Sequence, residues 1–292
     1  MDFAKPFRGS AAVSAGETTW RRLGGPGFDH LGYDTYVAAG TVLDLSGRAV
    51  AAALAVPGGV IGGYGAAELL EAPCAPRNAR VEVVVGRRRV RPHDGLLIRQ
   101  DVLADDEVVD VHGTLVTSPL RTAFDLARRR DHVEAVVAVD ALAHRHELDV
   151  AALASYPALR DNPRGARRLP RVIADADARA ESPPETRLRL VLHAAGLAPE
   201  PQLQVRDDWG DDVARVDFGW RELRFALEYQ GDDHRTDQEQ WRRDVERIAR
   251  LAAVGWLVLP VTALDLRRPD FFVRGVRVAL GHRRLELMAR AS

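Results

Sequence analysis

Asp217 and Glu228 stand eleven residues apart in the stretch VARVDFGWRELRFALEYQGDDHRTD, and His234 follows a Gly-Asp-Asp turn. Strand alternation sorts the first half of this stretch into Ala214, Val216, Phe218 and Trp220 on one face and Val213, Arg215 and Asp217 on the other. The second half sorts into Leu223, Phe225, Leu227 and Tyr229 against Arg224, Ala226, Glu228 and Gln230. Packing the apolar sets together leaves Asp217, Glu228 and Gln230 on the opposite face, where a helix of the same module is expected to lie. A carboxylate pair under a helix is costly to bury without compensation. A hard divalent cation, Mg²⁺ or Mn²⁺, supplies it by taking carboxylate oxygens and waters. The bland reading is a solvent-facing pair of acids matched to Arg215 and Arg224, a weak and common arrangement. Alternation alone leaves both readings open.

The elements that must position these acids come in a clear order. SPPETRLRLVLHAAG reads as a helix ended by Gly196, and PQLQVRDD, DDVARVDFGW and LRFALEYQG as three strands. TDQEQWRRDVERIARLAAVG reads as a long helix with an apolar stripe of Trp241, Val245, Ile248, Ala249 and Ala252. WLVLPV is a buried strand and a last helix starts near Asp270. The order α-β-β-β-α-β-α predicts a mixed sheet with helices on its faces, an α/β (α+β) class. Ser182-Pro-Pro-Glu185 is also a capping box, so Glu185 is either a cap or a site residue.

Further upstream, residues 1–45 read as two short helices, GSAAVSAG and ETTWRRLGG, then one extended segment with Tyr33, Thr35 and Val37 alternating. That order fits a small winged helix-turn-helix, or a helical cap on the next domain. Residues 46–175 read as mixed α/β: helices GRAVAAALAVP and GYGAAELLEAP, strands ARVEVVVG, GLLIRQDVL and VVDVHGTLVT, then a helix with Ser118 as N-cap and Pro119 at its first position. An amphipathic helix with Val133, Val136, Val137 and Leu142 and an arginine-rich helical connection complete this part. Residues 176–292 form the third module. Arg121 and Asp125 read as an i,i+4 helix pair, and Arg87, Arg88, Arg89 and Arg91 as a solvated strand end or turn. His144, His146 and His193 are spaced poorly for a shared metal.

Bulk composition narrows the classes. The chain has 292 residues, 46% hydrophobic and 28% charged, enough for real cores. No apolar run has the length of a membrane helix, and the opening MDFAKPFRGS lacks the apolar centre of a signal peptide, so a cytoplasmic protein is expected. Cys74 is the sole cysteine, which excludes an intrachain disulfide and a cysteine zinc site. Lys5 is the sole lysine, which excludes mechanisms that need an interior lysine. A net charge of −1 does not by itself indicate a nucleic-acid binder.

Five ordered motifs, SPPETRLR…AGL, VDFGW, LEYQGDDH, RRDVERIARL and GWLVLPVTA, resemble the very-short-patch-repair-like (Vsr-like) endonuclease domain of the PD-(D/E)XK superfamily, over residues 182 to about 266. The resemblance implies a Mg²⁺- or Mn²⁺-dependent DNA phosphodiester hydrolase. Asp217 would be the principal metal ligand, Glu228 the second, His234 a general base or phosphate-side partner, and Glu185 a water-orienting group. Asp244 and Arg247 would brace the site or contact phosphate. Gln230 stands where the family carries an acid, and Pro260 where it often carries Arg.

The front half, through FRGSAAVSAG…TTWRRL…FDHLGYDTYVAA, IGGYGAAELL, ARVEVVVGRRRVRPHDGLLIRQ and VTSPLRTAFDLA, resembles the AbiEi-type antitoxin and regulator family. It implies an N-terminal winged helix-turn-helix with Thr18, Thr19, Trp20, Arg21 and Arg22 on or near the helix that meets DNA. Three functions are expected in turn: a DNA endonuclease; a non-enzymatic antitoxin-type DNA-binding regulator with a degenerate nuclease fold; or a partner of a cognate toxin with no nucleic-acid contact.

Overall fold

The computed structural model describes residues 1–90, 95–157, 163–231 and 238–291. They form two compact units, Met1–Ala178 and Arg179–Ser292. No helix among the described residues is long and apolar enough to cross a membrane.

The first unit opens with β1 (Phe7–Arg8), α1 (Gly9–Ser14), α2 (Trp20–Leu23), β2 (Phe28–Gly32) and β3 (Thr35–Ala38), the strands forming a small sheet in the order β1-β3-β2. Both short helices fall where the glycine stops place them. The single extended segment is instead a hairpin, with Tyr33 exposed at its turn and Asp34 in the left-handed region at φ 48°. Aspartate tolerates that conformation. Its carboxylate also accepts from the Ser10 backbone N–H at 2.8 Å and the Ser10 hydroxyl at 2.5 Å, tying the turn to the start of α1. Phe7, Ala12 and Leu23 form the core of this module, with Phe3, Phe28 and Tyr36 packed against it.

The rest of this unit comprises α3 (Leu45–Ala55), β4 (Val60–Gly62), α4 (Gly63–Leu69), β5 (Val81–Val84), β6 (Leu96–Arg99), β7 (Val108–Val111), β8 (Thr114–Thr117), α5 (Pro119–Arg129), α6 (His132–His146) and α7 (Leu169–Asp175). The sheet runs β6-β5-β4-β8-β7, with β4 parallel to β8 and β5 parallel to β6. Its central strand, β4, has no signal in the sequence: three residues ending in glycine carry no period. Ser118 caps α5 as expected, its Oγ accepting from the Arg121 N–H at 3.4 Å. On α6, Val136, Val137 and Leu142 are buried, but Val133 in the first turn is exposed.

The second unit comprises α8 (Pro183–Ala194), β9 (Glu200–Arg206), β10 (Asp212–Trp220), β11 (Phe225–Tyr229), α9 (Gln238–Ala253), β12 (Leu257–Val261), α10 (Ala263–Arg267) and α11 (Pro269–Ala291). The sheet order is β12-β11-β10-β9, with β12 parallel to β11 and the other pairs antiparallel. Pro260 sits on the edge strand, where a missing N–H is tolerated. Phe218, Phe225 and Leu227 pack with Leu188, Leu192, Val261, Phe272 and Val276.

Two expected faces are corrected. Val216 packs not with that group but with Leu203, Val205, Ala226, Leu251 and Trp256, and the β9–β10 register shifts between Asp212 and Ala214. Arg224 is not on the β11 face at all, because it sits in the turn at φ 44°.

The stripe expected on α9 is also displaced. Val245 and Ile248 are 47% and 40% exposed and Ala249 and Ala252 are exposed, while Leu251 is fully buried and Asp244 and Arg247 are half-buried. Trp241's side chain lies outside the described set. The helix is turned so that Asp244, Arg247 and Leu251, at i, i+3 and i+7, face the sheet. Accordingly Leu251→Ala should cost about 2–5 kcal/mol in urea denaturation, whereas Val245→Ala and Ile248→Ala should each stay within about 0.5 kcal/mol of the parent. Equal losses at all three positions would show that the apolar stripe faces inward after all.

Candidate functional site

The β10–β11 register pairs Phe218 with Leu227, and on the far side of that pair the Asp217 carboxylate accepts from the Tyr229 backbone N–H at 2.8 Å. Glu228, 2% exposed, lies next to it on β11. Glu228 Oε1 accepts from Arg247 of α9, and Arg247 is also within 3.5 Å of Asp244. Arg215 pairs with Glu181, and Arg224 with Asp208. The surface pairing of Asp217 and Glu228 with Arg215 and Arg224 is therefore not what the fold uses.

Glu185 is drawn to the same neighbourhood from the first turn of α8 and does serve as a cap. Its carboxylate accepts from the Glu181 N–H at 3.1 Å and the Ser182 hydroxyl at 2.7 Å, and from Gln202 Nε2 at 2.8 Å. Burial, together with the charges of Glu185 and Glu228, pushes the Asp217 carboxyl up to about 6, with the Tyr229 N–H and Arg247 working the other way. Arg247 loses some basicity to burial, but its bond to Glu228 and the charges of Glu228, Asp244 and Asp217 hold it above its ordinary value.

The three expected carboxylates thus gather, and Gln230 comes next after Tyr229, its N–H donating to the Val261 carbonyl at 2.7 Å. His234 lies outside the described residues. No cluster of three or more His, Cys, Asp or Glu among the described residues is arranged to hold a metal ion. Glu228 is occupied by Arg247 and Glu185 by its cap, and Glu228 Oε2, although buried, has no hydrogen-bond partner among the described residues.

In the N-terminal module, Thr18 is buried and precedes α2, and Thr19 is its N-cap, the Oγ1 accepting from the Arg22 N–H at 3.3 Å. Trp20, Arg21 and Arg22 lie on the helix and are exposed, Trp20 by 55%. The expected recognition helix is thus a single turn, because Gly24 and Gly25 end it immediately. Arg21 and Arg22 border a shallow recess floored by Phe3 and Phe28. Arg87, Arg88 and Arg89 are exposed after β5, where Arg88 donates to the Pro57 carbonyl at 2.5 Å; Arg91 lies outside the described residues.

Spacing alone makes Arg121 and Asp125 a simple helix pair. The pair exists, at 2.9 Å, but Arg121 is 2% exposed and is the hub of a buried network. It also donates to Asp101 and, at 2.9 Å, to Glu107, which in turn accepts from the Tyr156 hydroxyl at 2.5 Å. Asp125 is shared with Arg128 at 2.6 Å and Arg129 at 3.0 Å. Glu82 on β5, also buried, meets Arg99 at 3.1 Å, Arg129 at 3.3 Å and Arg130. Nothing in the local sequence marks Asp101 or Glu107; the signals for this network are the Arg121–Asp125 pair itself and an acid, Glu82, in an otherwise apolar strand.

The first unit thus joins a small helix-and-hairpin module to an α/β domain built around buried arginines. Residues 63–171 match the AbiEi antitoxin C-terminal domain. Two curated relatives, the uncharacterized proteins MT2308 and Rv2248 of two Mycobacterium tuberculosis strains, are each 30% identical over 226 residues, covering 77% of this chain and 82% of theirs. The chain belongs to the same family as these two proteins.

The raised Asp217 value carries a sign. Its folded value lies above the ordinary aspartate value, so folding is favoured at low pH and this contribution is lost as pH rises through about 6. Asp217→Asn removes the charge, so it should stabilise the protein by about 1–2 kcal/mol at pH 8 and by little at pH 4. Thermal melts across that range check it; a variant less stable at pH 8 than the parent would contradict the buried-charge account.

Proposed function

We propose that this chain is an antitoxin-type, DNA-binding regulator that also engages a cognate toxin protein, and that its C-terminal domain is a nuclease-derived fold kept for a non-hydrolytic role. The match of residues 63–171 to the AbiEi antitoxin domain carries this reading. The N-terminal module supports it: Arg21 and Arg22 project from a capped turn next to a β-hairpin, a geometry in which guanidinium groups meet phosphates. Sequence resemblance to the Vsr-like endonucleases and the β-β-β-α-β order support descent of the second unit from a nuclease. Hydrolysis is not part of the proposal: Arg247 holds one oxygen of Glu228 and the α8 cap engages Glu185.

In a gel-shift series with genomic duplex fragments, Arg21→Ala/Arg22→Ala in the full chain should weaken binding by about tenfold or more. It should also lower the slope of log Kd against log salt by about 2, roughly one for each phosphate that a removed guanidinium had neutralised. Unchanged affinity and slope would rule out the N-terminal module as the DNA contact.

A further inference from the structure

A recess of about 580 Å³ in the first unit opens over the buried arginine network and is lined by Arg99, Asp101, Arg128, Arg129, Arg164 and Arg168. We propose that it binds a phosphorylated small molecule of nucleotide size, the phosphate held by Arg128, Arg129, Arg164 and Arg168. This inference is independent of the DNA-binding reading, because no residue of the N-terminal module lines the recess.

Charge balance is the first ground. Among the described residues of this network, Glu82, Asp101, Glu107 and Asp125 supply four carboxylates, against seven guanidinium groups counting Arg121, Arg130 and the five arginines of the recess. No carboxylate among the described residues forms an ion pair with Arg164 or Arg168. Half-buried excess cation favours a bound anion, and arginine forks match phosphate oxygens two at a time. Burial holds the Arg129 guanidinium below its ordinary value, with Arg128 and Arg99 acting in the same direction and Asp125 and Glu82 opposing.

Construction is the second ground. Gly165 adopts φ 90°, and a Cβ there would lie 2.0 Å from the Arg128 carbonyl oxygen. Only glycine lets this turn close against the end of α5, and the closure brings Arg164 and Arg168 to the rim above Arg128 and Arg129. The Arg168 guanidinium donates to the Arg130 carbonyl at 3.0 Å and Arg128 donates to the Arg164 carbonyl at 3.2 Å, fixing the rim to the floor. Arg128 also lies over the Phe124 ring at 5.3 Å, which holds its plane. The volume falls in the range of small-molecule sites, about 300–1,000 Å³. The cations at its floor are recessed, with side-chain exposures of 9% for Arg128 and 16% for Arg129, which suits a compact ligand better than a duplex backbone.

Calorimetric titration of the full chain with pyrophosphate and with ATP, at constant ionic strength, tests the proposal. One-to-one binding of either is expected. Arg164→Ala/Arg168→Ala, two exposed positions, should weaken it by about tenfold or more while the cooperative thermal unfolding transition is retained, and Arg21→Ala/Arg22→Ala should leave it intact. Absence of binding at millimolar ligand, or equal binding by the parent and the Arg164/Arg168 variant, would overturn it. So would a variant that loses duplex DNA affinity when neither phosphate compound binds, since the recess would then be part of a nucleic-acid track.

Discussion

A carboxylate taken out of water must be met by positive charge or by hydrogen-bond donors, and in both units of this protein arginine does most of that work. Glu228 in the middle of the second sheet is answered by Arg247, and that one pairing turns α9 so that a polar residue faces the sheet and Val245 and Ile248 face outward. In the first unit Asp125 and Glu82 gather Arg99, Arg121, Arg128, Arg129 and Arg130 around the end of α5. A chain with one lysine uses the guanidinium fork here to advantage, because one planar group satisfies several acceptors at once: Arg121 alone reaches Asp101, Glu107 and Asp125.

The same pairing bears on what the acids of the second unit can do. The acids that the Vsr-like resemblance singles out do come together, with Asp217 against Tyr229, Glu228 beside it and Glu185 near enough to raise the Asp217 carboxyl. Each nevertheless has an internal occupation: a backbone N–H, a guanidinium, a helix cap. Gln230 removes a further negative charge from the place where the related motif carries an acid. Under the proposed function, with regulation through the first unit and no hydrolysis by the second, none of these acids needs to change partners.

Much of the fold is legible in the sequence because its signals are local. Helix caps at Ser118 and Ser182 and glycine stops at Gly24 and Gly196 set several boundaries, and alternation locates β5, β10 and β11. Non-local features are not legible in this way. β4 is defined by its neighbours β5 and β8, not by its three residues, and the Tyr33–Asp34 turn is held by Ser10, far away in the chain. The α9 stripe is misplaced when hydrophobicity is weighed without the buried Glu228 that needs Arg247. At the candidate site, spacing and motif single out Glu185, Asp217, Glu228 and Arg247, which the fold brings near one another. They do not reveal that Arg247 pairs with Glu228, nor that Arg121 is buried among three acids.

The central claim is that this chain binds DNA without cutting it, and one measurement addresses it most directly. Full-length protein is incubated with end-labelled genomic duplex fragments in Mg²⁺ and separately in Mn²⁺, beside Asp217→Asn, and resolved on native and denaturing gels. The account predicts a mobility shift on the native gel and intact strands on the denaturing gel for both proteins. Strand cleavage by the parent that disappears in Asp217→Asn would contradict it.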